Sequence, residues 1–227
     1  GADCVEWTLD NAPRFDGEAN VPGDHWHWPL LEVSGWSSWA GVASFVATLW
    51  ADALADDTAA IAAQAAVLAH QVDRAQATLA AIRFVQEDVR YLAVDFGHGA
   101  GMLPNGAGTV LRRRFGDCKD KSVLLTALLR AMGVDACPVL VAAHWRNGVT
   151  RLLPSTSAFD HAIVRIDVDG RHVFVDPTFI GQRGDLAHRV APPYGVGLEL
   201  DSATTGLVEL PPPTPTELSL TETFELD

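Results

Sequence analysis

The sequence predicts an α+β fold in which helices pack on an antiparallel sheet. Residues 118–132 repeat leucine and other apolar residues at helical spacing, and residues 137–143 form an apolar run typical of a buried strand. Two further β-rich runs, 161–168 and 171–176, are separated only by an Asp-Gly pair, which favours a two-residue hairpin turn. A helix followed by a strand and a hairpin therefore predicts antiparallel strands beside one well-formed helix.

Three more helices are expected before this segment. Apolar side chains recur at helical spacing in residues 39–50, in the Ala-rich residues 61–72 and in residues 79–89. Residues 97–108, in contrast, contain five glycines and one proline, which predicts a loop. The glycine spacing is similar to that of a phosphate-binding loop, but no Lys-Ser or Lys-Thr pair follows it. We therefore exclude nucleotide binding.

Composition and charge restrict the possible partners. The 227-residue chain is 48% hydrophobic and 20% charged, which is typical of a globular protein with a buried core. Its net charge of −13 opposes binding to the phosphate backbone of nucleic acids, and the basic run 112–114 is too short for a duplex footprint. No uncharged apolar run reaches the roughly 18 residues of a membrane span. We expect neither nucleic acid nor a membrane-spanning segment.

Cys118 stands at the predicted start of the clearest helix, after Gly116 and Asp117. Aspartate is a preferred helix N-cap, and glycine permits a sharp turn into the helix. The positive end of the helix dipole favours a thiolate over a thiol, and an unpaired backbone N–H at this position is free to stabilise an oxyanion. These features suggest a nucleophile. A structural cysteine beside a helix cap is the alternative.

The predicted hairpin brings a histidine and an aspartate together. If Val168 pairs with Arg171 across the turn, then Ile163 faces Asp176, and His161 lies two residues further along the same face. His161 and Asp176 then become diagonal neighbours within reach of a hydrogen bond. A register slip of one residue would put them on opposite faces. Taken separately, they also suit a strand-end histidine and a turn residue before proline.

Together these residues suggest cysteine–histidine–aspartate catalysis, in which Cys118 attacks, His161 carries the proton and Asp176 fixes the imidazole tautomer. Residues 114–122, 128–134, 159–164 and 175–178 resemble the transglutaminase-like superfamily. They are most similar to a bacterial group described as cysteine proteases. The resemblance covers about residues 36–200.

This resemblance implies a papain-like fold, a Cys118–His161–Asp176 triad and a peptide or protein substrate. It also implies flanking β-rich domains in a longer chain and a periplasmic or extracellular location. Related thiol enzymes use a Gln or Trp side chain upstream of the cysteine as a second oxyanion donor. Gln86 is the residue that we expect in this role beside the Cys118 N–H. A solvated helix position is the alternative.

The resemblance also implies the reaction, which is acyl transfer on amide bonds through a thioester. Hydrolysis by a cysteine peptidase or amidase is slightly favoured over transglutaminase cross-linking. A non-catalytic peptide- or protein-binding module on the same fold is the alternative, and a structural spacer domain is a third possibility. All three members of the triad are present, which favours the enzyme.

No cofactor or metal is expected. His25 and His27 have the spacing of strand ligands, but no third ligand stands at a suitable distance in the sequence. Cys4 and Cys137 are expected to be structural, and Cys137 lies in an apolar run where cysteine behaves as a small hydrophobic residue.

Three segments are expected along the chain. Residues 1–35 suggest the tail of a preceding domain or a linker, and residues 36–205 the catalytic core. Residues 206–227 begin with a proline-rich linker and continue with alternating apolar residues typical of a first strand of a following β domain.

Overall fold

A computed structural model describes residues 6–11, 14, 20–25, 30–70, 73–92, 101–168, 170–212 and 219–225. The helices are α1 Trp39–Ala55, α2 Thr58–Leu68, α3 Arg74–Arg83, α4 Ala107–Arg113 and α5 Cys118–Ala131. The strands are β1 Arg90–Tyr91, β2 Phe115–Gly116, β3 Ala136–Val141, β4 His161–Val168, β5 Arg171–Val175, β6 Val196–Glu199 and β7 Val208–Glu209. A π-helical turn, Phe84–Asp88, directly follows α3, and 3-10 turns occupy Arg146–Arg151, Thr156–Ala158 and Leu186–His188.

The main sheet has five strands in the order β5-β4-β3-β6-β7, and all neighbouring pairs are antiparallel. The helix α5 packs against β3 and β4, with α1 to α4 arranged around α5. Strands β1 and β2 form a separate parallel pair just before α5. The predicted α+β fold, with a cysteine-bearing helix on an antiparallel sheet, is therefore confirmed.

The start and end of α5 follow directly from the sequence. The Asp117 side chain caps the helix and Asp120 reaches back to the Asp117 N–H, which completes a capping box. Gly133 adopts a φ of +74° just after the helix, a conformation that favours glycine. Apolar side chains such as Leu124 and Leu128 are fully buried between the sheet and the other helices.

The first three helices begin at side-chain caps, namely Ser38, Asp57 and Asp73. The predicted helix at 79–89 is present, but it changes from α-helical to π-helical geometry at Phe84. This change places Gln86 in the π-helical turn, where its side chain is buried.

The glycine-rich segment 97–108 differs from the predicted loop, because α4 begins at Ala107. Residues 93–100 lie outside the described part of the chain. A Cβ on Gly108 would lie 2.3 Å from the Asp57 Cβ, and one on Gly106 would lie 2.2 Å from an Asp56 carboxylate oxygen. These glycines permit close approach to the start of α2. That packing requirement cannot be distinguished from a loop signal in the sequence.

At the C-terminal end, β7 pairs with β6, so the core sheet extends past residue 205. Residues 219–225 have no regular structure and no strand pairing, and the expectation that they begin a following β domain stays a prediction. Alternating apolar residues form a strand only when a neighbouring strand supplies hydrogen bonds, and no described strand does so here. Across the described ranges, no helix is long and apolar enough to cross a membrane.

Candidate active site

Cys118 is the first residue of α5, at the end where the helix N–H groups are free. The Asp117 carboxylate accepts hydrogen bonds from the N–H groups of Lys119 at 2.9 Å and Asp120 at 3.2 Å. The Cys118 N–H has no acceptor among the residues that the structure describes. The Cys118 side chain is only 8% exposed. The helix start therefore combines a shielded sulfur with an unused backbone donor.

His161 and Asp176 meet at the open end of the β4–β5 hairpin. The strands pair in the predicted register, with Val164 opposite Val175, and this pairing confirms the register expectation. The turn residue Asp169 itself lies outside the described residues. The His161 Nε2 atom lies 3.0 Å from the Asp176 Oδ2 atom. The structure thus brings this predicted pair into direct contact.

The imidazole of His161 interacts with both Asp176 and Cys118. Burial alone would lower its pKa, but hydrogen bonds with Asp176 and Cys118 and the charges of both groups raise the pKa of His161 to about 10. Because Nε2 contacts Asp176, Nδ1 is the ring nitrogen left to face the Cys118 sulfur. The site is therefore suited to a protonated imidazole beside the Asp176 carboxylate.

Asp176 is 3% exposed, and both of its carboxylate oxygens are hydrogen-bonded. Oδ1 accepts from the Thr178 N–H at 2.8 Å and the Thr178 hydroxyl at 2.7 Å. Oδ2 accepts from the Tyr194 hydroxyl at 2.6 Å in addition to His161. Burial would raise the pKa of Asp176, but the bonds from His161, Tyr194 and Thr178 hold it below its ordinary value.

Sequence reasoning missed both Thr178 and Tyr194. The Asp-Pro-Thr run gives a signal for Thr178, since threonine two residues after aspartate can close a local turn onto the carboxylate. Tyr194 has no such signal, because it reaches Asp176 from a loop before β6. Its ring centre also lies 5.5 Å from that of His161, which packs the imidazole from one side.

The expectation that Gln86 donates to an oxyanion is not supported by its contacts. The Gln86 side chain is 1% exposed, and its Nε2 donates to the Asp176 backbone oxygen at 2.9 Å and to Gln182 Oε1 at 3.3 Å. Both N–H groups of the amide therefore have protein partners, and neither is free for a substrate. The π-helical turn directs this side chain towards the strand end that carries Asp176, not towards the Cys118 sulfur.

Two other side chains near Cys118 differ in their freedom to bind a substrate. The Lys119 Nζ contacts Asp117 Oδ2 at 2.5 Å. Burial lowers the pKa of Lys119, but the hydrogen bond with Asp117 and the charges of Asp117 and Cys118 outweigh it, so the pKa is raised. The Tyr91 side chain is 50% exposed, and its hydroxyl has no hydrogen-bond partner in the described chain. Burial and the charges of Cys118, Asp117 and Asp176 raise the pKa of Tyr91. Tyr91 therefore keeps its proton close to the site.

A small cavity of about 60 Å³ borders Cys118 and His161 and is walled by Met102, Leu140 and Phe159. This volume is well below the roughly 300 Å³ of a small-molecule pocket. A larger cavity of about 490 Å³ lies between the start of α3 and the end of β4, and none of the three triad residues lines it. The space beside Cys118 thus admits a small group and leaves the body of a substrate outside.

The remaining cysteines and the His25–His27 pair lie either away from the triad residues or outside the described residues. Cys137 is buried in β3, and burial raises the pKa of its thiol to about 11. Cys4 and the Trp26–His27 part of the His25 motif fall outside the described residues. Within the described ranges, no three His, Cys, Asp or Glu side chains are grouped as metal ligands.

Comparisons with known proteins identify the fold. Residues 61–177, half of the chain, match the family model described as the transglutaminase-like superfamily. No curated protein matches the sequence. The solved structure of a "putative protease" from Parabacteroides distasonis superposes with a TM-score of 0.57 at 17% identity over 80% of this chain. The chain spans only 32% of the length of that protein.

Two further solved structures are similar to smaller parts of the chain. A "putative cysteine protease" from Cytophaga hutchinsonii has a TM-score of 0.41 at 19% identity, covering 53% of this chain and 37% of its own. A protein described as a TGase has a TM-score of 0.37 at 14% identity, covering 65% of this chain and 40% of its own.

Proposed function

The chain belongs to the transglutaminase-like superfamily, and from that premise we propose that it is a thiol-dependent enzyme that transfers acyl groups from amide bonds. Cys118 is the nucleophile, His161 the general acid and base, and Asp176 the residue that orients His161. The observation that supports this proposal most directly is the 3.0 Å contact between His161 and Asp176 beside a cysteine at a helix start.

Acylation begins when the Cys118 sulfur attacks the carbonyl carbon of an amide. A carbon–sulfur bond forms, and the carbonyl oxygen becomes an oxyanion. The tetrahedral intermediate then breaks its carbon–nitrogen bond, and the leaving nitrogen takes the proton from Nδ1 of His161. The products of this step are a free amine and a thioester on Cys118.

Deacylation restores the enzyme. Neutral His161 takes a proton from a water molecule, whose oxygen attacks the thioester carbon. The carbon–sulfur bond breaks, a carboxylic acid leaves, and the thiolate–imidazolium pair is formed again. If a primary amine replaces water, the same steps give a new amide and the reaction is cross-linking.

We favour hydrolysis over cross-linking. Water requires no further binding site, whereas cross-linking requires a second site that holds an amine and excludes water. Asp160 borders the cavity, but its carboxylate already accepts hydrogen bonds from the backbone N–H groups of Ala143 at 2.6 Å and His144 at 3.1 Å. It is therefore poorly suited to bind an amine.

Two donors serve the oxyanion in this proposal. The first is the Cys118 N–H, which has no acceptor among the described groups. The second is the Tyr91 hydroxyl, because β1 pairs with β2 so that Tyr91 stands opposite Gly116, two residues before the cysteine. The hydroxyl carries a proton and has no described partner, so it is free to donate to a developing oxyanion.

The superfamily supports a peptide or protein substrate, and the small cavity beside Cys118 is consistent with this class. Because about 60 Å³ admits only a small group, an extended peptide chain or a glutamine-like side chain suits the site better than a bulky small molecule. We therefore propose a peptide or protein substrate, whose remaining residues bind across the outer surface.

The first test compares wild type with Cys118→Ala on a library of peptide amides, with and without an added primary amine. Wild type should release amine from some peptides, and Cys118→Ala should lose about 10⁴-fold or more in rate. Mass spectrometry should trap a thioester on Cys118. Incorporation of the added amine in preference to water would show that cross-linking is the reaction.

Cys137→Ser is the matched control, because this buried thiol lies in β3 away from the triad. It should retain wild-type turnover. If peptides bind but neither turnover nor a thioester is detected, the fold acts as a peptide-binding module and the enzymatic proposal is wrong.

A further inference from the structure

Lys121 is a fully buried lysine in α5, three residues after Cys118. Its Nζ donates to the backbone oxygen of Val89 at 2.7 Å and of Gln86 at 3.3 Å. No described carboxylate forms an ion pair with it. Burying an ammonium group is costly unless the group is hydrogen-bonded. The two backbone oxygens that bind the Lys121 Nζ are therefore a specific feature of this site.

The Gln86 oxygen belongs to the π-helical turn Phe84–Asp88, and Val89 is the residue that follows this turn. The last carbonyl groups of a helix have no donors within the helix, and a positive charge near them is favourable. Lys121 supplies both the donors and the charge. It therefore fixes this helix end against α5, the helix that carries Cys118.

Gln86 continues the connection from α5 to Asp176. Its backbone oxygen accepts from Lys121, and its side-chain Nε2 donates to the Asp176 backbone oxygen at 2.9 Å. Asp176 lies just beyond the last residue of β5, and Pro177 after it has no N–H to donate. The amide of Gln86 thus holds the backbone of Asp176 where the sheet no longer does.

Arg189 determines which way the Gln86 amide points. The Arg189 side chain is buried, and its Nη1 donates to Gln86 Oε1 at 3.4 Å and to the Gln182 backbone oxygen at 2.9 Å. Because guanidinium groups only donate, the Gln86 oxygen must face Arg189. The Gln86 nitrogen then faces Asp176.

We propose that Lys121 and Gln86 are positioning residues that fix Asp176 relative to Cys118, through a buried connection from α5 to the end of β5. This inference rests on the proposed function, in which Asp176 orients His161. The connection lets the helix that carries the nucleophile also set the distance between the carboxylate and the imidazole.

The test uses Lys121→Met and Gln86→Met, which keep the length of each side chain and remove its hydrogen bonds. Both variants should lower kcat by about 10- to 100-fold and leave KM unchanged, because a small displacement of a catalytic group costs rate rather than binding. The pKa of His161, followed by NMR and assigned with His161→Ala, should fall from about 10 towards its ordinary value.

Ser122→Ala is the matched control, since Ser122 is the next residue in α5 and its buried hydroxyl has no hydrogen-bond partner among the described residues. It should keep the wild-type kcat and His161 pKa. If the methionine variants lower only the melting temperature, and kcat and the His161 pKa match those of Ser122→Ala, the two residues are structural and the inference is wrong. If Lys121→Met does not fold, Gln86→Met alone decides the question.

The NMR titration separates this inference from the proposed function. If wild type turns over no amide, the proposed function fails. The pKa of His161 in the two methionine variants still shows whether Lys121 and Gln86 position Asp176.

Discussion

Nε2 of His161 and Oδ2 of Asp176 lie 3.0 Å apart, although the two residues are not paired with each other in the β4–β5 hairpin. His161 begins β4, and Asp176 follows the last residue of β5. The contact therefore depends both on the hairpin register and on the groups that hold Asp176 beyond the strand. Substitutions at Asp176 and Tyr194 separate the effect of this contact on the protonation of His161 from its effect on turnover.

Asp176→Asn should show how much of the His161 protonation depends on the carboxylate. The asparagine keeps the shape but loses the negative charge, so the pKa of His161 should fall from about 10 towards 6.5. Turnover should drop by about 10²- to 10⁴-fold, because the imidazolium loses its stabilising charge and its tautomer is no longer fixed. NMR titration and steady-state kinetics measure the two effects.

Tyr194→Phe is the companion variant, since it removes one of the hydrogen bonds to the same oxygen and keeps the ring against His161. Its effect should have the same direction and a smaller size. Equal activity of wild type and Asp176→Asn would contradict the orienting role of this carboxylate.

A second prediction concerns the caps of α5 and α3. Asp117 and Asp73 each accept a hydrogen bond from the N–H of the third helical residue, at 3.2 Å and 2.8 Å. Replacing either by alanine should cost about 1 kcal/mol in the free energy of unfolding, measured in urea. Only Asp117→Ala should also slow alkylation of Cys118 by iodoacetamide, because it alone disturbs the helix start at the thiol.

Asp73→Ala serves as the control, since it carries the same loss of a cap on a helix that holds no triad residue. If both variants alkylate at the wild-type rate, the geometry of the α5 start has no influence on the reactivity of Cys118.

The parts of the site that the sequence predicts are those governed by local rules. The Asp-Gly pair in the sequence predicts the pairing of Val164 with Val175, and that pairing brings His161 to Asp176. Aspartate before a strong helical pattern likewise predicts the cap at Asp117. In each case the information lies within a few residues of the feature.

The parts that the sequence does not predict depend on distant packing. Gln86 faces Asp176 because of a π-helical turn and because Arg189 holds its oxygen, and 103 residues separate these two side chains. Tyr194 reaches Asp176 from a loop that has no local signal. Gly108 in α4 is required by its close contact with Asp57 at the start of α2. Local glycine propensity carries no information on that contact and therefore predicts a loop.

The dependence of stability on pH should show opposite contributions from His161 and Lys121. The pKa of His161 is raised from 6.5 to about 10, so its stabilisation is complete below pH 6.5 and is lost as the pH rises through 10. Burial lowers the pKa of Lys121 from 10.5 to about 8. The unfolded chain then binds more protons above pH 8, so this group adds stability as the pH rises towards 10.5.

Urea unfolding at pH 7 and pH 10 tests these signs. Between the two pH values, the free energy of unfolding should fall less in His161→Ala than in wild type. Because Lys121→Met is also expected to shift the pKa of His161, its effect is measured in the His161→Ala background, where the double variant should lose more stability than His161→Ala alone. Groups away from the site titrate equally in the two proteins of each comparison and cancel. The same pH dependence in all three would contradict both assignments.

The last prediction tests Tyr91 as an oxyanion donor. Tyr91→Phe removes only the hydroxyl of a side chain that is half exposed and has no described hydrogen-bond partner, so the free energy of unfolding should stay within about 0.5 kcal/mol of wild type. The loss of one donor should lower kcat by about 10²- to 10³-fold with KM unchanged. Alkylation of Cys118 forms no oxyanion, so its rate should not change. Tyr91→Trp supplies an indole N–H and should recover part of the lost kcat. If Tyr91→Phe retains wild-type kcat, the Cys118 N–H acts without help from this hydroxyl.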